Sequence, residues 1–367
     1  MPIKTANSTK RLPAAVQDLK RQCGASQPRV VLLFSSSKYD AGELNQLMQQ
    51  AFPDACVVGC STAGEIAGGR MLTESVVAMF LDGDIVEDAS AAVVENLRGE
   101  ARVREAFSSF EQHFHAPVSS MDIHKYVRLV LADGLSGAEE NLMEKIGDRT
   151  DIFFIGGSAG DDLKFHSTHV FHQGKAYTNA AVLVLLRLKR GFEILKTQSF
   201  HSTGKVLTAT KVDEPLRKVL EFNHQPAVTA YAAALGVPAE SLPGLFMKHP
   251  LGLMVDGEPF VRSPQRVDGE SILFYCQIKQ GMDLEVLEGT DIVADTRKAI
   301  EARLSADGPI AGIIDFQCIL RTLELRAENR CEQYGAIFSG LPVAGFSTYG
   351  EAYLGHMNQT STMLLFR

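Results

Sequence analysis

"FIGGSAGDDL" at 154–163 has two sisters in this chain, "VVGCSTAGEI" at 57–66 and "VAGFSTYGEA" at 343–352. Each has an apolar, strand-like lead, then Gly, one small or apolar residue, Ser, and a Gly with an acid beside it. Working outward, the same elements precede every copy. An apolar run (29–36, 126–135, 309–316) leads into an amphipathic segment (near 39–51, 137–147 and about 318–333), which leads into the turn. An extended run follows each turn: "ESVVAMFL" (74–81), "NAAVLVLL" (179–186) and "TSTMLLFR" (360–367). Alternation and short apolar runs mark strands, and 3.6-residue periodicity marks helices. A pattern recurring in this order is a repeated supersecondary unit. The expected fold is α/β (mixed α+β), with strand–helix–strand–turn–strand units forming mixed sheets flanked by helices, in two lobes.

Two further extended segments, 83–97 and 191–213, follow the first two units and lead toward helices, whereas the third unit carries its counterpart first, at 271–304. Residues 212–252 read as helix passing into a Pro-rich connection. The division expected from these shifts is an N-terminal helical extension over 1–28, with a helix near 10–21, a domain over 29–222 holding two repeats, and a domain over 223–367 holding the third.

Composition narrows the function. The chain has 367 residues, enough for two domains with ample core, and 45% apolar against 22% charged content is that of an ordinary globular protein. A net charge of −8 argues against nucleic-acid binding, because nothing neutralises phosphates. The apolar run 179–186 is far shorter than the roughly 20 residues of a membrane span. "MPIKTANSTKRLPAA" lacks the apolar core of a signal peptide. Six scattered cysteines form no disulfide-like framework, so a reduced, cytoplasmic protein is expected.

The middle turn contains G-x-S-x-G, the spacing of a hydrolase nucleophile elbow, which would make Ser158 a nucleophile. An elbow needs a helix directly after the serine. "DDLKFHSTHVF" alternates instead, and the sister turns do not keep the spacing. The glycines (Gly59, Gly64, Gly156, Gly160, Gly345, Gly350) suit sharp strand exits and close backbone approach. The hydroxyls of Ser61, Ser158 and Ser347 and the acids Glu65, Asp161 and Glu351 can hold such turns by bonding backbone groups. The same residues could line a ligand pocket.

There is no Walker loop, no G-x-G-x-x-G between strand and helix, and no C-x-x-C or H-E-x-x-H. His166, His169 and His172 are spaced by three, so on the strand expected there they alternate faces and cannot converge on one metal. His249 in "MKHPLGL" and His356 in "YLGHMNQTSTMLLF" are isolated, though imidazole is a common axial ligand of haem iron.

Taken together, "GCSTAGEI", "FIGGSAGDDLKF", "HPLGL" and "GLPVAGFSTYGEAYLGHMNQTSTMLLF" resemble the FIST sensory proteins over nearly the whole chain. The resemblance implies a FIST N-terminal domain over about 29–222 and a FIST C-terminal domain over about 223–364. It implies a non-enzymatic, cytoplasmic bacterial sensor of small ligands such as amino acids, linked to histidine kinases and cyclic-di-GMP signalling in biofilms. The length, the helix after 313 and the H-x-N-Q-T element at 356–360 are similar to the nitric-oxide-sensing NosP type, which binds haem b and modulates a partner histidine kinase in a two-component system. On that likeness His356, then His249, are the haem-iron candidates. The competing readings are a metabolite sensor without haem, a serine hydrolase through Ser158, and an adaptor without a ligand. A homo-oligomer is compatible with the sequence.

Overall fold

Three parallel strand pairs organise most of the chain, in a computed structural model that describes residues 2–367. The first repeat runs β1 (Ile3–Ser8), α1 (Ala14–Cys23), β2 (Val30–Ser36), α2 (Ala41–Ala51), β3 (Cys56–Thr62), β4 (Glu65–Ala67), β5 (Arg70–Leu72) and β6 (Val76–Leu81). The second runs β7 (Val86–Glu95), α3 (Val103–Phe114), β8 (Tyr126–Ala132), α4 (Glu139–Gly147), β9 (Phe154–Ser158), β10 (Val170–His172), β11 (Lys175–Tyr177) and β12 (Ala180–Leu188). The third opens with β13 (Phe192–Gln198).

A long insertion follows: β14 (Phe200–Asp213), β15 (Lys218–Phe222), β16 (Gln225–Pro226), α5 (Ala227–Leu235), β17 (Leu251–Val255), β18 (Glu258–Arg262), β19 (Pro264–Asp268), β20 (Ser271–Phe274) and β21 (Asp283–Gly289). The third repeat then resumes with α6 (Ile292–Asp307), β22 (Gly312–Cys318), α7 (Ile319–Ala327), α8 (Cys331–Gly335), β23 (Val343–Thr348), β24 (Glu351–Ala352), β25 (His356–Met357) and β26 (Thr360–Phe366).

Each repeat pairs its two central strands in parallel, as a strand–helix–strand crossover requires, and sets its last strand antiparallel beside the first: β6-β2-β3, β12-β8-β9 and β26-β22-β23. The opening strands β1, β7 and β13 extend these sheets at the edge. The short hairpin after each turn leaves its own repeat. β4–β5 joins the third sheet against β23, β10–β11 joins the first against β3, and β24 joins the second against β9. The exchange runs in one cycle through all three sheets.

Strand alternation sorts the side chains. Val30, Leu32 and Phe34 of β2, Val127, Leu129 and Leu131 of β8, and Ile314 and Phe316 of β22 face one shared core. The intervening residues face the helices: Val31 and Leu33 pack with Leu19, Leu44 and Met48, and Val130 packs with Phe107, Phe110 and Leu142. Each such side chain contributes roughly 2 kcal/mol by leaving water. The third sheet's other face mixes polar residues with apolar ones such as Ile313, Val343 and Leu365. There buried Asp315 accepts hydrogen bonds from Ser361 Oγ (2.6 Å) and Tyr334 Oη (3.2 Å), and burial pushes its carboxyl up to about 6.

The chain divides into two compact units. One is Met1–Lys196 with Arg297–His356 and Ser361–Arg367; the other is Thr197–Thr296 with Met357–Thr360. The first unit gathers most of the three repeats, and the second is made mostly of the insertion. The second unit holds an eight-stranded sheet in the order β18-β17-β21-β14-β15-β20-β19, with β16 on β15. Its core gathers Phe222, Tyr231, Phe246 and Phe274.

Several local readings change. Residues 3–8, inside the expected helical extension, form an edge strand. The segment 212–222 is the end of β14, a turn over 214–217 and β15, whose Val219 and Phe222 are buried. The extended segment 191–213 supplies the third sheet's edge strand, rather than a tail to the second repeat. The helix expected over 318–333 breaks into α7 and α8 at Asn329, whose φ is +56°. Only Val170–His172 of the expected histidine strand is strand, and His166 and His169 lie in the loop before it.

Candidate functional site

Gly59, Gly156 and Gly345 occupy one position in the three repeats, and each faces the neighbouring parallel strand. A Cβ there would lie 1.8 Å from the carbonyl oxygen of Leu33, 1.8 Å from that of Val130 and 2.1 Å from that of Asp315. The repeated glycine is therefore set by strand proximity. The serine two residues on marks the meeting of the repeats. The amide of Gly160 donates to the Ser61 carbonyl (2.9 Å), that of Tyr349 to the Ser158 carbonyl (3.2 Å), and that of Ala63 to the Ser347 carbonyl (3.2 Å). The three turns thus close a ring of main-chain hydrogen bonds.

The acids near the turns differ in role. Glu65 is buried and accepts from Thr62 Oγ1 and from the amide and hydroxyl of Ser75. Burial raises its carboxyl to about 7 although those bonds oppose the shift. Glu351 is fully buried on β24, opposite Gly157. Asp161 organises a loop: its carboxylate accepts from Tyr349 Oη (2.6 Å) and from the amides of Phe165 (2.9 Å), His166 (2.6 Å) and Ser167 (3.0 Å). Burial alone would raise its pKa, but these four donors outweigh it and hold the carboxyl below the ordinary aspartate value. Asp162, Leu163 and Phe165 all have positive φ (54°, 63°, 54°), which costs backbone energy at non-glycine positions.

That loop walls a crevice of about 510 Å³ at the carboxyl ends of β2 and β3, the end of a strand–helix–strand unit where ligands are commonly held. Ser35 and Ser61 form its floor, α2 opens beside it with Ala41 and Gly42, and Lys38, Lys164, His166 and His169 line its sides. Asp40 caps α2 by accepting from the Glu43 amide (2.7 Å). Asp162 accepts from Ser36 Oγ and from the amide and hydroxyl of Ser37, and Lys164 Nζ donates to Ser37 Oγ (2.8 Å). The second repeat's loop is thereby latched onto the first repeat's strand end.

The sister positions are filled. Ser158 Oγ donates to Glu139 Oε1 (3.4 Å) at the first turn of α4, and Ser347 Oγ bonds Thr322 Oγ1 (2.8 Å) in α7. In the first repeat the helix starts with Ala41 and Gly42, too small to reach Ser61. Ser61 Oγ instead accepts from the His169 amide (2.9 Å) and borders open space. Ser158 is buried and no helix follows it, so its surroundings are not those of a nucleophile elbow.

Of the residues singled out in the sequence, Ser61 and Asp161 line the crevice, while Gly64, Gly160, Gly350, Ser158 and Ser347 belong to the ring or its flanks. His356 and His249 stand in different units. The imidazole of His356 is buried over Gly350, where a Cβ would meet its ring. His249 Nδ1 lies 3.3 Å from the Leu287 carbonyl. Lys38, Lys164 and Ser35 escaped the sequence reading because isolated lysines and serines carry no periodic signal. Among the described residues no cluster of three His, Cys, Asp or Glu is placed to hold a metal ion, and no helix is long and apolar enough to cross a membrane.

The chain is similar to an uncharacterized protein of Methanocaldococcus jannaschii, 22% identical over 310 residues, which are 79% of this chain and 59% of that protein. The chain thus spans under two thirds of its relative's length. The FIST N domain matches residues 29–225 and the FIST C domain residues 227–353. Together they cover most of the chain, which belongs to the FIST family of sensory proteins.

Proposed function

We propose that this protein is a sensor that binds a small polar metabolite in the crevice between Ser61 and the 161–169 loop, and passes its occupancy to a signalling partner. One observation carries this reading: of three equivalent serine turns, the first lines a cavity while the serines of the other two bond side chains of the following helices, and the cavity's wall is a strained, hydrogen-bonded loop donated by another repeat. A ligand that rearranged the contacts of Lys164 with Ser37 would shift that loop between arrangements. The partner expected from the family is a histidine kinase, with cyclic-di-GMP signalling downstream, in the cytoplasm. No substrate bond is broken in this reading. Amide NMR spectra recorded with a panel of amino acids and carboxylic acids test it. Perturbations centred on Ser61, Lys38 and His169 support the site, and binding that leaves those amides unmoved refutes it.

The second reading is a haem b sensor of nitric oxide with His356 or His249 as the iron ligand. Its support is the likeness to the NosP type and the burial of His356, which would shield a bound iron from water. Either imidazole would have to leave its present contacts to ligate. An absorbance scan after haem addition tests this. A Soret band that shifts with nitric oxide, and changes in His356→Ala or His249→Ala, supports it; no band, or unchanged spectra in both variants, removes these ligands.

A further inference from the structure

The second repeat has already filled its own version of the crevice, and what fills it is a carboxylate. Glu139, at the opening of α4, points its side chain to Ser158, the counterpart of Ser61. A carboxylate suits that place, since a serine hydroxyl and the positive end of a helix both favour it. In the first repeat the corresponding helix positions are Ala41 and Gly42, so the hydroxyl remains while the carboxylate is missing.

The charges around the open crevice point the same way. Its acids are engaged: Asp161 accepts four hydrogen bonds, Asp162 at the edge accepts three, and Asp40 caps α2. Its lysines are held loosely. Lys38 Nζ reaches the Thr9 carbonyl at 3.3 Å and Glu74 at 3.8 Å, and Lys164 Nζ touches Ser37 Oγ and lies 3.9 Å from Asp162. An ammonium group entering here meets two cations, with Asp40, which accepts a single hydrogen bond at the start of α2, as the one lightly engaged acid. A second anionic group meets two lysines with donors to spare.

Resting on the crevice reading, we infer that the ligand is a small dicarboxylate. One carboxylate takes the place that Glu139 fills in the second repeat, against Ser61 and the start of α2, and the other is held by Lys38 and Lys164. The selectivity is against zwitterionic amino acids, whose ammonium group would be placed beside the two lysines.

Isothermal titration of the full chain with succinate and, separately, with alanine tests this, alongside amide NMR to place the contact. Succinate is expected to bind at least tenfold more tightly than alanine, to move the amides of Ser61 and Ala41, and to weaken about tenfold in Lys164→Gln, an exposed position that does not threaten folding. Ala41→Glu, which rebuilds the second repeat's plug, is expected to abolish binding while circular dichroism stays unchanged. Alanine binding as tightly as succinate at the same amides overturns the dicarboxylate inference and leaves the crevice reading standing. Succinate binding unaffected by both variants, or no succinate binding at all, also overturns the inference. The crevice reading then depends on whether any other metabolite moves the Ser61 amide.

Discussion

Tyr349 of the third repeat donates its phenolic hydrogen to Oδ1 of Asp161 in the second, at 2.6 Å. The Tyr349 phenolic oxygen accepts from the Leu163 amide at 3.0 Å, so one hydroxyl ties the loop's carboxylate and its strained backbone to another repeat. Phe165, largely exposed, stacks on the Tyr349 ring with centroids 5.2 Å apart.

Tyr349→Phe keeps the stack and removes the hydroxyl. A hydrogen bond to a charged acceptor is worth about 2 kcal/mol, and a loss of that order is expected in urea unfolding. The Asp161 carboxyl should also move up toward its ordinary value. A depressed pKa supplies stability that is present above the unfolded value near 3.8 and lost as pH falls through the folded value. Asp161→Asn should therefore flatten the acid limb of stability below about pH 4. An unchanged acid limb would show that the loop is organised by other contacts.

Glu65 titrates with the opposite sign. Burial raises its carboxyl from 4.5 to about 7, so the stability it contributes is complete below 4.5 and disappears as pH rises through 7. The difference is on the order of 3 kcal/mol. Glu65→Gln keeps an acceptor for Ser75 and offers its NH2 to Thr62 Oγ1 without the charge, and should lose less stability than the wild type between pH 3.5 and pH 8 (both about one unit outside the window). Parallel curves for the two proteins in this range would contradict the assignment.

Two glycines separate close approach from backbone conformation. Gly59→Ala forces a methyl onto the Leu33 carbonyl and should cost more than about 4 kcal/mol, or prevent folding. Gly68→Ala has open space around it and a φ of +57°, so only the left-handed backbone is penalised, by about 1 kcal/mol. Similar losses at both positions in thermal unfolding would undo the explanation of the repeated glycine.

Arg128 occupies the position of Val31 and Ile313 in the sister strands. It is fully buried, its Nε and Nη1 have no hydrogen-bond partner, and its guanidinium sits 4.9 Å from the Phe107 ring. Burial lowers its pKa to about 10. Replacing a poorly partnered buried cation by an apolar side chain is commonly neutral or stabilising. Arg128→Met is expected to raise stability by about 1–3 kcal/mol in chemical denaturation, and a loss above about 2 kcal/mol would assign Arg128 a partner in solution.

The central strands and α2 and α4 were legible because their residues carry period-2 and 3.6 signals over six or more positions. The hairpins were not, since β4, β10 and β24 span two or three residues and no periodicity develops over that length. Which sheet a strand joins is a long-range fact, so 191–213 looked like an appendage of the repeat it follows. At the site, Ser61 and Asp161 stood out because their turns recur. Lys38 and Lys164 did not, because their meaning comes from which neighbouring acids are already engaged. The histidines were chosen on imidazole chemistry, which says nothing of what a ring packs against.

The cyclic handing-on of hairpins ties the three repeats to one another. One repeat alone would carry a vacant sheet edge beside its second strand and a hairpin with nowhere to pair. In this chain each such edge is filled by another repeat's hairpin, so loosening one hairpin uncovers an edge in a sheet that is not its own.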